Sequence, residues 1–246
     1  MDRMLYVAMS GARETLKAQA ANNHNLANAS TTGFHADMAA FQARKVEGSG
    51  FDSRVFATNS SIGFDHSSGA MQSTGRDLDV AVQGNGFIAV QGRDGREAYT
   101  RAGDLHVDPQ GQLLTVTGLP VLGDGGPISV PPNTSLLVGV DGTLSVVPQG
   151  SGPETRAVVG RIKLVDPPVE QLTRTNDGLF RLKDGTDAPV SATVHLASGV
   201  LESSNVNIAD AMVNMIELAR RFDLQVKAMK TAEDNGAASA QLLKNA

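Results

Sequence analysis

Cysteine and tryptophan are missing altogether from the 246 residues, and aromatic side chains make up only 4% of them. Without cysteine there is no disulfide, no thiolate metal site and no cysteine nucleophile. With tyrosine only at Tyr6 and Tyr99, any core has to be built from Val, Leu, Ile and Ala. No stretch approaches the roughly 18 to 20 apolar residues that cross a bilayer, and the chain does not begin with the basic segment and apolar run of a cleaved secretory signal. Direct membrane insertion is therefore not expected. The formal net charge of −5 also argues against nucleic acid as a partner, since that requires clustered Lys and Arg.

The usual catalytic constellations are absent as well. His24, His35, His66, His106 and His195 are scattered without paired-ligand spacing, so no metal site is expected. There is no nucleophile elbow of the G-x-S-x-G type. Gln83-Gly84-Asn85-Gly86-Phe87 contains two glycines of a phosphate loop, but it leads into a strand-like run rather than a helix, which removes the helix N-terminus that would hold a phosphate. It reads as a β-turn. Neither catalytic residues nor a cofactor are expected, and an enzyme would need a site assembled only in three dimensions.

What is present is a matching rhythm at the two ends. Leu5, Met9, Ala12, Leu16, Gln19, Asn23 and Leu26 follow one another in alternating steps of four and three, and Ile208, Met212, Met215, Ala219, Phe222, Val226 and Met229 repeat the pattern. Each is a heptad seam, and a helix with one narrow apolar stripe needs a partner to cover it. These fourteen positions are the expected assembly interface. Polar Gln19 and Asn23 within the stripe either set register or face water.

Between the ends the texture changes twice. Residues 30–77 are rich in Ser, Thr, Gly and Asn, yet they hold Phe34, Phe41, Phe51, Phe56 and Phe64. A solvated linker has no use for large rings, so an extended segment anchored by phenylalanine is expected there, with edge strands packed on the chain's own β domain as the alternative. Residues 78–200 carry short strand-like runs punctuated by Asp94-Gly95, Asp124-Gly125, Asp141-Gly142, Asp177-Gly178 and Asp184-Gly185, which are hairpin signals. The expected fold class is α+β: N- and C-terminal α-helices (1–29 and 201–246) pairing as a coiled coil, with an inserted all-β central domain and an extended linker. Asn207 is placed to cap the second helix. Residues 1–40 and 208–246 are each neutral, so the whole −5 lies between them, and neutral helices can pack beside many copies of themselves without accumulating repulsion.

Asn25-Leu26-Ala27-Asn28-Ala29-Ser30-Thr31-Thr32-Gly33-Phe34 resembles the NLAN-x-x-T-x-G-F motif of bacterial flagellar rod and hook proteins. Three further stretches agree in order: Leu78 to Phe87, Tyr99-Thr100-Arg101-Ala102-Gly103 followed by Asp108, Gly111 and Leu113, and Gly199 to Asn207. The last resembles the family's G-x-L-E-x-S-N-V-N run, with Ser204, Asn205, Val206 and Asn207 in place. The resemblance implies a structural subunit of the rod that crosses the periplasm. The opening Met1-Asp2-Arg3 and Gly126 to Pro131 are most similar to proximal-rod members, a distal-rod or hook-type subunit being the alternative. Its implied partners are other rod proteins, proximal and distal, copies of itself, and the flagellar type III export apparatus. A secreted β-domain adhesin with helical oligomerisation arms is the rival outside that family.

Overall fold

The structure, a computed structural model, describes residues 3–45, 55–150, 155–175 and 177–244. The chain forms two compact units. The first comprises residues 1–29, 36–65 and 206–246, and the second comprises 30–35 and 66–205.

In the first unit, helix α1 (Arg3–Ala27) packs along helix α2 (Ile208–Lys244). The pair is antiparallel, since Asn22 donates to the Ala211 carbonyl at 2.8 Å while Gly11 lies against Gln225. Both helices are free of proline, and their ends are capped by asparagine. The Asn207 side-chain oxygen accepts from the N–H groups of Ala209 at 3.0 Å and Asp210 at 3.4 Å, which satisfies donors that no helical carbonyl can reach. At the other terminus Asn28 gives both its N–H and its side-chain amide to the His24 carbonyl. Asp2, expected to complement the start of α1, lies outside the described residues. Asn235-Gly236, a candidate break, stays helical within α2.

The line of α1 that meets α2 is one of small residues. Ala8, Ala12, Thr15 and Ala18 are buried on α1, and Ala211, Leu218 and Ala232 on α2. A methyl group at Gly11 would come within 2.9 Å of the Gln225 side chain. Of the fourteen seam positions, Ala12 is buried and Gln19, Leu26, Met215, Phe222 and Met229 are half-buried. Leu5, Met9, Leu16, Asn23, Ile208, Met212, Ala219 and Val226 are exposed. The buried line on α1 is thus turned from the heptad seam by about one residue. Small side chains let the two backbones approach, and the large ones are left on the flank.

Strands β1 (Asp37–Lys45) and β2 (Val55–Phe64) form an antiparallel hairpin with a register shift between Met38 and Ala39. It packs on α1. Part of the segment expected as an extended linker is therefore paired with itself as a hairpin. Strand pairing satisfies its backbone groups as no free linker can. Phe34 and Phe64 are buried; Phe51 and the side chains of Phe41 and Phe56 lie outside what the structure describes.

The second unit is all-β apart from one short helical turn. Strands β3 (Met71–Ser73), β4 (Val80–Gln83), β5 (Phe87–Gln91) and β6 (Glu97–Thr100) open it. After them come β7 (Leu105–Val107), β8 (Leu113–Thr115), β9 (Leu122–Gly123) and β10 (Gly126–Pro127). A hairpin of β11 (Asn133–Val138) and β12 (Thr143–Pro148) turns at Asp141-Gly142 and extends to β13 (Ala157–Arg161). Strand β14 (Leu164–Val165) joins β15 (Leu172–Arg174) and β16 (Phe180–Leu182) in a five-stranded sheet of order β14-β5-β6-β16-β15. Finally β17 (His195–Ser198) pairs with β4, and β18 (Val200–Glu202) pairs with β3. The core is aliphatic as the composition requires, with Val80, Val82, Ile88, Val90, Leu113, Val121, Leu144, Ile162 and Leu196 among its members.

Ala12→Leu should cost about 1–3 kcal/mol in a denaturant melt, because it overfills a buried position beside the close approach of Gly11 to Gln225. Met9→Ala should stay within about 0.5 kcal/mol. Equal losses for the two variants would show that the inward line is misassigned.

Candidate functional site

Two of the family-like motifs straddle the boundaries between the units. Asn25 and Asn28 belong to the helical unit and Thr32, Gly33 and Phe34 to the β unit; Ser204 and Asn205 belong to the β unit and Val206 and Asn207 to the helical one. Within the helical unit, Asn25 clamps the first residue of β1 from both sides. Its amide donates to the Asp37 carbonyl at 2.9 Å and its oxygen accepts the Asp37 N–H at 2.8 Å. His24 Nδ1 lies 2.8 Å from the Asp37 carboxylate.

Within the β unit, the remaining halves converge on a buried ion pair. Arg101 Nη1 donates to Glu202 at 3.1 and 3.0 Å, and both side chains are almost wholly buried. Every donor group of the guanidinium finds an acceptor: Nε reaches the Gly86 carbonyl at 3.1 Å, Nη2 the Gly84 carbonyl, and Nη1 also the Ser68 hydroxyl at 3.2 Å. The loop Gly84-Asn85-Gly86, read from the sequence as a turn, supplies two of those carbonyls. Glu202 accepts in addition the Gly69 N–H at 2.9 Å, and His35 Nε2 lies 3.5 Å from it. Its main-chain carbonyl takes the Gly33 N–H at 2.8 Å, and Asn205 N–H donates to the Phe34 carbonyl at 3.2 Å. Asn205 also gives its amide to the Ser67 carbonyl at 2.9 Å. All four chain crossings between the units therefore lie within a few residues of this ion pair.

Aromatic contacts close the surroundings. The Arg174 guanidinium sits 4.2 Å over the Phe34 ring and donates to the His35 carbonyl at 2.8 Å. Burial pushes the Glu202 carboxyl up, but the hydrogen bonds from His35 and Gly69 and the charge of Arg101 outweigh it, so the net direction is below the ordinary value. Nearby Asp104 is pushed up by burial against the opposing hydrogen bond from Thr32, whose hydroxyl donates at 3.2 Å. The Arg76 hydrogen bond holds Asp79 down. This chemistry positions backbone and has no open face for a substrate. Among the described residues there is no cluster of three or more potential metal ligands.

The helical unit offers a second feature. A groove of about 270 Å³ is lined on one side of the helix pair by Ala18, Asn22 and Asn25 of α1 and by Asn214, Glu217 and Arg221 of α2. At about 100° per residue, the exposed seam positions on each helix are turned roughly 145° away from that polar side. Because the helices are antiparallel, both sets face the same way. Leu5, Met9 and Leu16 thus share one outward face with Ile208, Met212 and Val226, each between 37% and 54% exposed.

Sequence reasoning missed Arg101, Glu202 and His35 as a unit. They are separated by up to 167 positions, and no periodicity links them; the place of Arg101 and Glu202 inside motifs, and of His35 directly after one, was the one available signal. Gly33 is tightly held. Its φ of +63° suits glycine, and a Cβ there would lie 2.3 Å from the Arg101 carbonyl carbon. Gly33→Ala should therefore destabilise the β unit by more than about 2 kcal/mol in thermal melts. Gly160→Ala, with open space around it, should stay within about 0.5 kcal/mol. A silent Gly33→Ala would show that the junction does not constrain the fold.

Comparison with known proteins agrees with this arrangement. The family described as "Flagellar hook protein FlgE/F/G D1 domain" matches residues 81–146, and "Flagellar basal body rod FlgEFG protein C-terminal" matches residues 197–242. The chain is 46% identical to the flagellar basal-body rod protein FlgF of Escherichia coli (strain K12) and 43% identical to that of Salmonella typhimurium, over 99% of each chain in both cases. It is 31% identical to the flagellar basal-body rod protein FlgG of Bacillus subtilis, over 95% of this chain and 96% of the relative. Identity of this extent, together with motifs that the fold gathers at one junction, shows that the chain belongs to the FlgF family of flagellar basal-body rod proteins.

Proposed function

We propose that the chain works as a structural subunit of the proximal part of the rod, the drive shaft that crosses the periplasm and carries torque. It is not an enzyme. Assembly runs through the terminal helices, which meet copies of this chain and other rod subunits, proximal and distal, along heptad lines as a coiled coil. The observation that carries this reading is the outward apolar face shared by α1 and α2. Neither helix covers it within the chain, and each large residue buried by a neighbour would contribute about 1.5–3 kcal/mol. The charge-neutral helical unit suits dense packing with like copies. Delivery runs through the flagellar type III export apparatus. The 46% and 43% identity to the Escherichia coli and Salmonella typhimurium FlgF proteins, above the 31% to the Bacillus subtilis FlgG protein, favours the proximal rod over a distal-rod or hook-type subunit.

Leu16→Asp and Met212→Asp test the reading, since each puts a charge where a neighbour should exclude water. The protein should be present in purified hook and basal-body particles of the parent strain by mass spectrometry. Either variant should be lost from the particles and leave cells non-motile, while the melting of the β unit is unchanged. Val116→Asp, on an exposed valine of the β unit, should keep both particle content and motility. Normal motility with Leu16→Asp and Met212→Asp would refute assembly through this face.

A further inference from the structure

The Arg101–Glu202 pair does more than fill a buried site, because of what hangs on it. Segment 30–35 is held by Gly33 N–H on Glu202 and by the Phe34 carbonyl on Asn205. The segment after β2 is held by Gly69 N–H on Glu202, Ser68 on Arg101 and Ser67 on Asn205. Residues 203–205 leave directly from Glu202. The core strands β11 and β12 share none of these contacts, since they pair with one another and with β13. The Glu202 carboxylate thus holds Gly69 directly and Ser68 through Arg101, while its own main chain and Asn205, three residues on, hold Gly33, Phe34 and Ser67.

We propose that Glu202 is the pin of a clamp that gathers the four chain crossings at one place on the β unit, and that loss of its charge opens the clamp ahead of the core. The charged groups facing the pin are few. Arg101 comes from the turn after β6, and His35 from segment 30–35. The His66 ring lies edge-on to His35 with centroids 6.5 Å apart, and Arg174 of β15 reaches the His35 carbonyl. Strand β3, paired with β18 beside Glu202, brings no titratable residue. Protonating Glu202 converts an acceptor-only carboxylate into a group with a donor of its own, facing N–H groups of Arg101 and Gly69 that all need acceptors.

The direction with pH follows from the depressed carboxyl. A carboxylate held below its unfolded value stabilises fully above that value, near 4.3 for Glu, and loses the contribution as pH falls through the folded value. The clamp is closed at neutral pH and opens in acid.

Amide hydrogen exchange of the full chain, corrected for intrinsic pH dependence, tests this. In Glu202→Gln at pH 7, peptides covering 30–35, 66–70 and 199–205 should exchange at least about tenfold faster than in the parent, with 135–138 and 143–148 unchanged. Acidifying the parent below about pH 4 should produce the same local pattern, and Glu202→Gln should show no further response there. Arg101→Lys, which keeps the charge but loses the fork to Gly84 and Gly86, should open the same peptides if Glu202→Gln proves too unstable to purify. Uniform acceleration across core and junction, or no acceleration at all, would overturn the proposal. Neither result depends on rod assembly.

Discussion

A fully buried pair of opposite charges is an expensive thing to keep, and the Arg101–Glu202 contact is the one on which the β unit's connections depend. Desolvating each ion costs several kcal/mol, and mutual attraction offsets this only when the remaining donors and acceptors are also satisfied. Here they are: two loop carbonyls, a serine hydroxyl, a backbone N–H and a histidine complete the two coordination shells. A hydrophobic pair of similar volume would fill the space but could not hold Gly69, Ser68 and the Gly84 and Gly86 carbonyls in place. What the pair supplies is direction, which matters where several chain segments must leave a domain at one spot. It also explains why motifs far apart in the chain carry polar residues and glycines together, since each provides one wall of the same small volume.

The helical unit inverts the usual amphipathic arrangement, in which large apolar residues face the chain's own core. The inward line of α1 is Ala, Gly and Thr, met by Ala211, Leu218 and Ala232 of α2, and the outward flank is Leu, Met, Ile and Val. Close approach of two backbones over small side chains gains contact but removes little apolar area from water, so the pair is only modestly held within one chain. The larger gain is reserved for a neighbouring molecule. Anything that covers the flank therefore also stabilises the helix pair, because a ligand that binds the folded form alone shifts the folding equilibrium towards it. Under the proposed assembly, folding of the ends and assembly are linked.

Much of the fold was legible in the sequence, and the failures have particular causes. The helices over 3–27 and 208–244, the Asn207 cap and the Asp-Gly hairpin at 141–142 follow from local rules that tertiary structure did not override. The hairpin of β1 and β2 was not legible, because its pattern of Ala, Ser and Asn lacks the alternation of a half-buried strand. The seam lines were readable as apolar stripes, but not which partner each would meet. Periodicity reports that a face needs covering, and two adjacent registers on α1 both satisfy the heptad rhythm. The ion pair was invisible for a different reason: it joins Arg101 and Glu202 across 101 positions, and nothing local distinguishes either residue from a surface charge.

The division of charge adds a constraint that neither unit shows alone. The β unit holds 10 Lys and Arg against 15 Asp and Glu, while the helical unit holds 11 of each. Copies packed through neutral helices meet no net repulsion within the roughly 8 Å over which charges act at physiological salt. Copies approaching through their β units carry five excess negative charges each and repel. If copies assemble through the helices as proposed, the chain has one surface that accepts its own kind and one that resists it, an asymmetry that precedes any specific side-chain fit. Exposed valines at positions 116, 140 and 158 are consistent with this. On a repulsive surface, isolated apolar residues can remain uncovered without drawing copies together.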